Sequence, residues 1–147
     1  MRKAYFLVFA LFCSCSARSP IATYVKSEIV AVSEDAVALD VTFSFANTNN
    51  EPIELLAFDY SVLAHNRKVY AGVHEAKLTI PRQSEIQNTI PVVISRPVFK
   101  KNVFLTWQLN GKVDYLAADA LAKTLRSAGL SQPSSPIFAQ DKMQIPN

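Results

Sequence analysis

One stretch decides the fold of this chain: Val41-Thr42-Phe43-Ser44-Phe45-Ala46-Asn47-Thr48-Asn49-Asn50-Glu51-Pro52-Ile53-Glu54-Leu55-Leu56. Its first half alternates apolar with small polar residues, which is typical of a β-strand with one buried face. The asparagines and Pro52 favour a tight corner, because asparagine tolerates left-handed backbone angles and bonds nearby backbone, and proline keeps the preceding residue out of the helical region. A second apolar run follows. The stretch therefore predicts a strand, a corner and another strand.

The alternation begins before this stretch. Residues spaced by two lie on one face of a strand, and the apolar face comprises Val37, Leu39, Val41, Phe43 and Phe45. The opposite face comprises Ala38, Asp40, Thr42 and Ser44. We expect the first face in the core and the second in water.

The composition is that of one globular domain. Of 147 residues, 50% are hydrophobic and 18% are charged, which is a folded rather than a disordered balance. The formal charge is +3, and removing Arg2 and Lys3 reduces 15 basic residues to 13 against 12 acidic ones. This balance gives no support to nucleic-acid binding.

The first residues resemble a bacterial export signal. Arg2-Lys3 precedes an uncharged run over residues 4–12, shorter than the roughly 20 residues that span a bilayer. The run ends in Leu11-Phe12-Cys13-Ser14-Cys15-Ser16, which resembles the lipobox of bacterial lipoproteins, although Phe12 and Cys13 depart from the usual leucine and small residue. The resemblance implies a signal peptide over residues 1–14 and acylation of Cys15 with fatty acids such as palmitate.

This interpretation makes residues 15–20 a lipidated cysteine with its tether and residues 21–147 the domain. The five tether residues 16–20 reach no more than about 18 Å when extended. Ser16 after the cysteine is similar to the enterobacterial pattern for the outer membrane. The alternative is an ordinary secretory peptide cut after Ala17, and it exports the protein too. Both cysteines precede residue 16, so the domain has no thiol for a disulfide, a zinc site or a nucleophile.

The rest of the chain reads mostly as strands separated by turn residues. Apolar or alternating segments predict them over residues 24–32, 37–45, 53–63, 69–73, 77–80, 86–94, 103–109, 112–116 and 138–145. Pro91 cannot donate a ladder hydrogen bond, so its strand should be an edge strand or interrupted there. This pattern predicts an all-β fold, a β-sandwich of short strands.

Three local signals predict departures from straight strands. Gly72 inside a strand pattern indicates a bulge or a close backbone approach. Asn110-Gly111 is the strongest hairpin signal in the chain. Ala118 to Ala128 carries apolar residues at helical spacing with Gly129 just after it, which predicts one short helix near the C-terminus.

These segments resemble the WHy (water stress and hypersensitive response) domain of the second group of late embryogenesis abundant proteins. In that family a strand ends in Asn-Pro-Asn with Pro-Ile shortly after, a hairpin carries glycine, and Ile-Pro precedes the next strand. The matching residues are Asn47, Asn49, Pro52, Ile53, Gly72, Ile80 and Pro81, whereas Thr48 stands where the family has its middle proline. The resemblance implies an immunoglobulin-like or fibronectin-like sandwich, and its motifs are structural rather than catalytic.

No constellation of residues indicates catalysis, a metal or a cofactor. His65 and His74, with Glu75 nearby, are the only histidines, and zinc needs three or four ligands. The sequence has no Gly-x-Ser-x-Gly and no glycine-rich phosphate loop. Acidic residues such as Asp59, Glu85 and Asp114 are scattered, and Trp107 alternates with apolar residues as core residues do.

We therefore expect a non-enzymatic envelope lipoprotein for desiccation or stress tolerance, bound to a membrane through its lipid and contacting lipid or an envelope protein. The alternative is a structural or adaptor lipoprotein of an envelope complex, which should show a contiguous exposed apolar patch.

Overall fold

A computed structural model describes residues 17–95, 104–117, 124, 126–129 and 132–146. Cys15 lies outside them. The described residues form seven strands, which are β1 (Ile21–Val32), β2 (Ala36–Asn47), β3 (Ile53–Ala64), β4 (Arg67–Ile80), β5 (Ser84–Ser95), β6 (Phe104–Ala117) and β7 (Ser134–Gln144). All pairs are antiparallel. The fold is all-β, as predicted.

Two sheets pack face to face as a sandwich. The smaller sheet has the order β1-β2-β5 and the larger one β4-β3-β6-β7. The predicted apolar face of β2 is confirmed, since Val37, Leu39, Val41, Phe43 and Phe45 are 0% exposed. They face an equally buried layer from the larger sheet that includes Phe58, Leu105, Trp107 and Leu109.

The outer face of β2 is more buried than the alternation of apolar and polar residues predicts. Thr42 is 7% exposed and Ser44 is 5% exposed, because β2 is the central strand of its sheet. Neighbouring strands cover both hydroxyls: Thr42 shares a hydrogen bond with Thr89, and Ser44 donates to the Glu85 carboxylate. The prediction that this face is exposed is therefore wrong at these two positions.

The β3–β4 hairpin turns at His65 and Asn66, which both have positive φ (48° and 62°), as a type I′ turn requires. The predicted segments 69–73 and 77–80 are parts of one strand, β4. Gly72 pairs regularly with Tyr60, and the register shifts fall on either side of it. The ring of Tyr70 lies over Gly72 instead, with its hydroxyl 2.5 Å from where a Cβ would stand.

The predicted hairpin at Asn110-Gly111 is wrong, because β6 runs straight through both residues. Asn110 pairs with Ser61 on one side and Phe138 on the other, and Gly111 pairs with Tyr60 and Ile137. A reversal here would break both ladders of a central strand. Glycine serves a close strand approach instead, since an added Cβ would stand 2.6 Å from the Tyr60 Cβ and would also clash with the Asp59 carbonyl.

The edge-strand prediction for β5 is confirmed, with Pro91 opposite Asp40. Across the core, the Tyr60 hydroxyl donates to the Pro91 carbonyl at 2.9 Å. Burial and the neighbouring Tyr70 raise the pKa of Tyr60 to about 12. Tyr60 thus stays neutral and joins the two sheets.

The predicted helix over residues 118–128 falls mostly outside the described residues, and it is not supported as an element of the fold. Of its described residues, Thr124, Arg126 and Ser127 have helical backbone, and the Ala128 N–H donates to the Thr124 carbonyl at 3.0 Å. Gly129 follows with φ of 70°.

The edges of the two sheets meet at β1 and β7 through one carboxylate. Asp141 Oδ2 accepts hydrogen bonds from the Ser27 hydroxyl at 2.8 Å and the Tyr24 hydroxyl at 3.0 Å. Burial alone would raise the pKa of Asp141, but the bonds from Ser27, the Lys142 N–H and Tyr24 outweigh it and hold this pKa below 3.8.

These hydrogen bonds to Asp141 predict that the stability of the fold depends on pH. Because its folded pKa is lowered, Asp141 contributes fully above the unfolded value of 3.8 and loses its contribution as pH falls through the folded pKa. Asp141→Asn should cost no more than about 1 kcal/mol at neutral pH, since the site is exposed, and progressively less below 3.8. Urea midpoints at neutral and acidic pH measure this, with Asp35→Asn in the exposed β1–β2 turn as control. An equal cost at both pH values would contradict it.

Candidate functional site

The corner after β2 lies at the end of the sandwich where the N-terminal segment enters. The register places the starts of β1, β3, β5 and β7 and the ends of β2, β4 and β6 together there. We call this the corner end. The opposite, far end carries the β1–β2 turn (residues 33–35) and the β3–β4 turn (residues 65–66).

Asn47 organises the corner through its side-chain amide. It is 2% exposed, and its Nδ2 lies 2.8 Å from the Glu51 carbonyl, 3.0 Å from the Pro81 carbonyl and 3.3 Å from the Ile80 carbonyl. Its Oδ1 accepts from the Asn49 N–H at 2.9 Å, the bond two residues along the chain that asparagine corners favour. One side chain thus joins β2, the corner and the end of β4.

Asn49 extends this network to the N-terminal segment. Its Nδ2 donates to Asn47 Oδ1 at 2.9 Å and to the Arg18 carbonyl at 2.8 Å, and its Oδ1 accepts from the Arg18 N–H at 2.8 Å. The amide therefore pairs with both backbone groups of Arg18, as a neighbouring strand would. Pro20 lies two residues after Arg18, and its carbonyl accepts a hydrogen bond from the buried Ser135 hydroxyl at 2.7 Å. The chain is consequently held from Arg18 onward.

The asparagines of the corner do not adopt the left-handed backbone conformation. The non-glycine residues with positive φ in the described part are His65, Asn66, Lys77 and Gln83, so the corner asparagines act through their side chains. Gln83 has φ of 47°, and its N–H donates to the Asn49 carbonyl at 3.1 Å. This bond brings the β4–β5 turn (residues 81–83) against the corner.

The motif residues carried over from the resemblance gather here, except for Gly72. Pro52 is exposed in the corner, Ile53 (1% exposed) and Ile80 (0% exposed) are paired core residues, and Pro81 offers its carbonyl to Asn47. Gly72 lies along β4 under Tyr70. Sequence reasoning missed Arg18, Pro20 and Ser135, because nothing in the sequence indicates contacts between residues so far apart.

Histidines and carboxylates do not converge in the described part of the chain. His65 is in a turn and His74 is seven residues into β4, about 20 Å away at strand spacing. No group of three or more potential metal ligands is present among the described residues. Glu75 pairs with Lys77 at 2.5 Å on the exposed surface, and that hydrogen bond lowers the pKa of Glu75.

One groove lies toward the far end of the larger sheet. It encloses about 430 Å³ and is lined by Leu63, Asn66, Thr106, Trp107, Gln108, Gln140, Asp141 and Lys142. Trp107 is 1% exposed and packs edge-on against Tyr24 with 6.3 Å between ring centroids, so its ring belongs to the core. The Asp141 carboxylate is already held by Ser27 and Tyr24. The other polar groups of the lining are the amides of Asn66, Gln108 and Gln140, the Thr106 hydroxyl and the Lys142 amine.

No family model and no curated protein matches this sequence. Solved structures resemble its fold at low identity. A candidate late embryogenesis abundant protein, At2g46140.1, is 16% identical with a TM-score of 0.66, covering 87% of this chain and 72% of its own. AT1g01470 from Arabidopsis thaliana is 14% identical with a TM-score of 0.64, covering 99% and 93%.

The fold is not confined to such proteins. A candidate ApaA protein from Bordetella pertussis is 11% identical with a TM-score of 0.54, covering 89% of this chain and 98% of its own. These likenesses establish a fold of the late embryogenesis abundant type. Within the described residues, no helix is both long and hydrophobic enough to cross a bilayer.

Proposed function

We propose that this protein is a non-enzymatic lipoprotein of the cell envelope that protects the envelope during desiccation or osmotic stress. One observation carries the proposal. In a sandwich of the late embryogenesis abundant type, the corner binds the backbone of Arg18, which lies three residues after the predicted lipid anchor at Cys15. Three extended residues span no more than about 11 Å. A lipid on Cys15 would therefore hold the domain against a membrane, and we place it on the periplasmic face of the outer membrane.

The mode of protection follows from the packed core. Disordered protective proteins have few aromatic residues and high charge, whereas this domain buries two continuous apolar layers. A folded domain protects through a defined surface near the membrane. We infer further that the sandwich is related to the immunoglobulin and fibronectin folds, in support of which β1, β2 and β5 share one sheet. It departs from the constant-type immunoglobulin order because β4 pairs with β3 rather than β5.

Lipidation itself gives the first test. Cys15→Ala should abolish incorporation of labelled fatty acid and shift the protein from the membrane fraction to the soluble one, because the mature chain has no other cysteine. Cys13→Ala is the matched control, since Cys13 belongs to the predicted signal peptide, and it should label like the wild type. Labelling of Cys15→Ala would contradict lipidation at Cys15. A wild-type protein that takes up no label would favour secretory cleavage after Ala17, which removes both cysteines.

Survival tests the function. A strain lacking the gene should die faster than the wild type on drying or osmotic shock, and the wild-type gene should restore survival. Cys15→Ala, exported as a folded soluble domain, should not restore it. Full rescue by the unlipidated domain would refute the membrane-proximal role.

An adaptor role in an envelope complex is the second candidate. A small apolar row crosses the outer face of the smaller sheet, where Ala31, Ala38 and Val93 are register partners beside Val30. Val30 is 54% exposed and Val93 is 52% exposed. A deletion strain with no survival defect, together with recovery of one envelope protein that is lost on Val93→Glu, would favour this role.

A further inference from the structure

We propose that the corner end is a membrane-contacting surface for anionic phospholipid headgroups, and that Asn49 fixes the orientation in which the sandwich meets them. This surface comprises Arg18, the corner residues 48–52 and the β4–β5 turn residues 81–83. The inference rests on the proposed lipid anchor and adds which part of the domain faces the bilayer.

The first step is the direction in which the chain leaves the domain. A tether attached by a flexible segment would let the sandwich lie on any side. Here both backbone groups of Arg18 are bound by the Asn49 amide at 2.8 Å each, and the Pro20 carbonyl is bound by Ser135. Only Ser16 and Ala17 separate Cys15 from the held segment. The anchored chain must therefore emerge from the corner end.

The second step is the distance between the two ends. Strands β1 and β2 are 12 residues long, so the far end lies about 40 Å from the corner end at strand spacing. The segment from Cys15 to Arg18 reaches no more than about 11 Å. An upright sandwich would keep its corner at the headgroups and its far end well clear of them.

The third step is charge. Arg18 and Arg82 are exposed at the corner end, and neither forms an ion pair with a described residue. The bond from the Gln83 N–H to the Asn49 carbonyl brings the turn that carries Arg82 against the corner that holds Arg18. Glu51 is the acidic residue of this surface, which leaves it a net charge of +1. At the far end, Arg67 and Lys68 beside the β3–β4 turn balance Glu34 and Asp35 in the β1–β2 turn. Arginine side chains bind phosphate groups through bidentate hydrogen bonds, so this surface suits the phosphates of anionic lipids.

Fluorescence resonance energy transfer from the protein to the lipid headgroups measures which end of the sandwich lies nearer the bilayer. The mature chain has no free thiol once Cys15 is acylated, so Thr48→Cys and Asp35→Cys each give a single labelling site, at the corner end and the far end. The labelled lipoproteins are reconstituted in phosphatidylcholine vesicles, with and without phosphatidylglycerol, that carry an acceptor dye on the headgroups. We expect several-fold higher transfer from Thr48→Cys than from Asp35→Cys. Equal transfer from both sites would overturn the proposal.

Two sets of variants test the residues. Asn49→Ala should narrow the difference in energy transfer between the two labelled sites. Asn50→Ala should not, because the Asn50 side chain accepts a hydrogen bond from Gln83 rather than binding Arg18. Arg18→Glu with Arg82→Glu should remove the further increase in transfer that phosphatidylglycerol produces at Thr48→Cys. An unchanged difference in Asn49→Ala would refute the orienting role, and an unchanged lipid dependence in the double variant would refute anionic recognition.

Mass spectrometry of the mature N-terminus separates this inference from the function it rests on. An unmodified Cys15 would refute the proposed function. The same transfer measurements would then be made on nickel-chelating vesicles, with a histidine tag replacing residues 1–15, and equal transfer there would refute the orientation itself.

Discussion

Replacing Asn47 with alanine is expected to lower the free energy of unfolding by about 2 to 4 kcal/mol. Asn47 is 2% exposed, and its Nδ2 donates to three backbone carbonyls. Its Oδ1 accepts from the Asn49 side-chain amide. Alanine leaves those carbonyls without their shared donor, and a buried unpaired polar group costs about 1 to 3 kcal/mol. Urea midpoints followed by the fluorescence of the single tryptophan, Trp107, measure the loss.

Two further variants identify the cause of that loss. Thr48→Ala is the matched control, since Thr48 is exposed in the same corner, and its midpoint should not move. Asn47→Asp keeps the acceptor oxygen but removes the donors and sets a carboxylate against carbonyl oxygens. It should be most destabilised at neutral pH and partly recover in acid, as the pKa of that buried carboxyl would be raised. A wild-type midpoint for Asn47→Ala would show that the corner does not depend on its side chain.

The second large effect is expected at Gly111, where alanine should cost about 3 kcal/mol, at the upper end for overpacking. The added methyl group would stand 2.6 Å from the Tyr60 Cβ and 2.8 Å from the Tyr60 Cα. Those atoms belong to a central strand that pairs on both sides. Relief therefore requires β3 and β6 to move apart, which weakens the ladder around Tyr60 and its bond to the Pro91 carbonyl.

Gly72→Ala is the matched control for this prediction. Its new methyl group would meet the hydroxyl end of the Tyr70 side chain at 2.5 Å, and a side-chain tip can move where backbone cannot. We expect Gly72→Ala to cost no more than about 1 kcal/mol. If Gly111→Ala were as stable as Gly72→Ala, close strand approach would not explain the glycine in β6.

The corner links stability to the membrane-contacting surface. Asn47 Oδ1 accepts from the Asn49 side chain that holds Arg18, so losing Asn47 should loosen the N-terminal segment as well as the core. Asn49→Ala removes the hold on Arg18 while leaving the three carbonyl contacts of Asn47 in place. The pair of variants can thus separate unfolding from misorientation.

Several features could be predicted from the sequence because their causes are local. The alternation of Val37 to Phe45 gives the core face of β2, since residues two apart always share a face of a strand. Pro91 indicates an edge strand because proline has no N–H to donate, and β5 is an edge strand. The bond from the Asn49 N–H to Asn47 spans two residues, so asparagine chemistry alone predicts it.

The tertiary structure decided whatever depended on partners distant in the sequence. Asn110-Gly111 has the composition of a hairpin turn, yet β6 stays straight because β3 and β7 pair with it along both edges. Thr42 and Ser44 read as exposed, yet the flanking strands bury them. Asn49 and Arg18 are 31 residues apart, and Ser135 and Pro20 are 115 apart. Strand periodicity and turn chemistry act over a few residues, so they determine the strands and the corner, whereas only the pairing of sheets brings such residues together and makes one end of the sandwich the place where the chain enters.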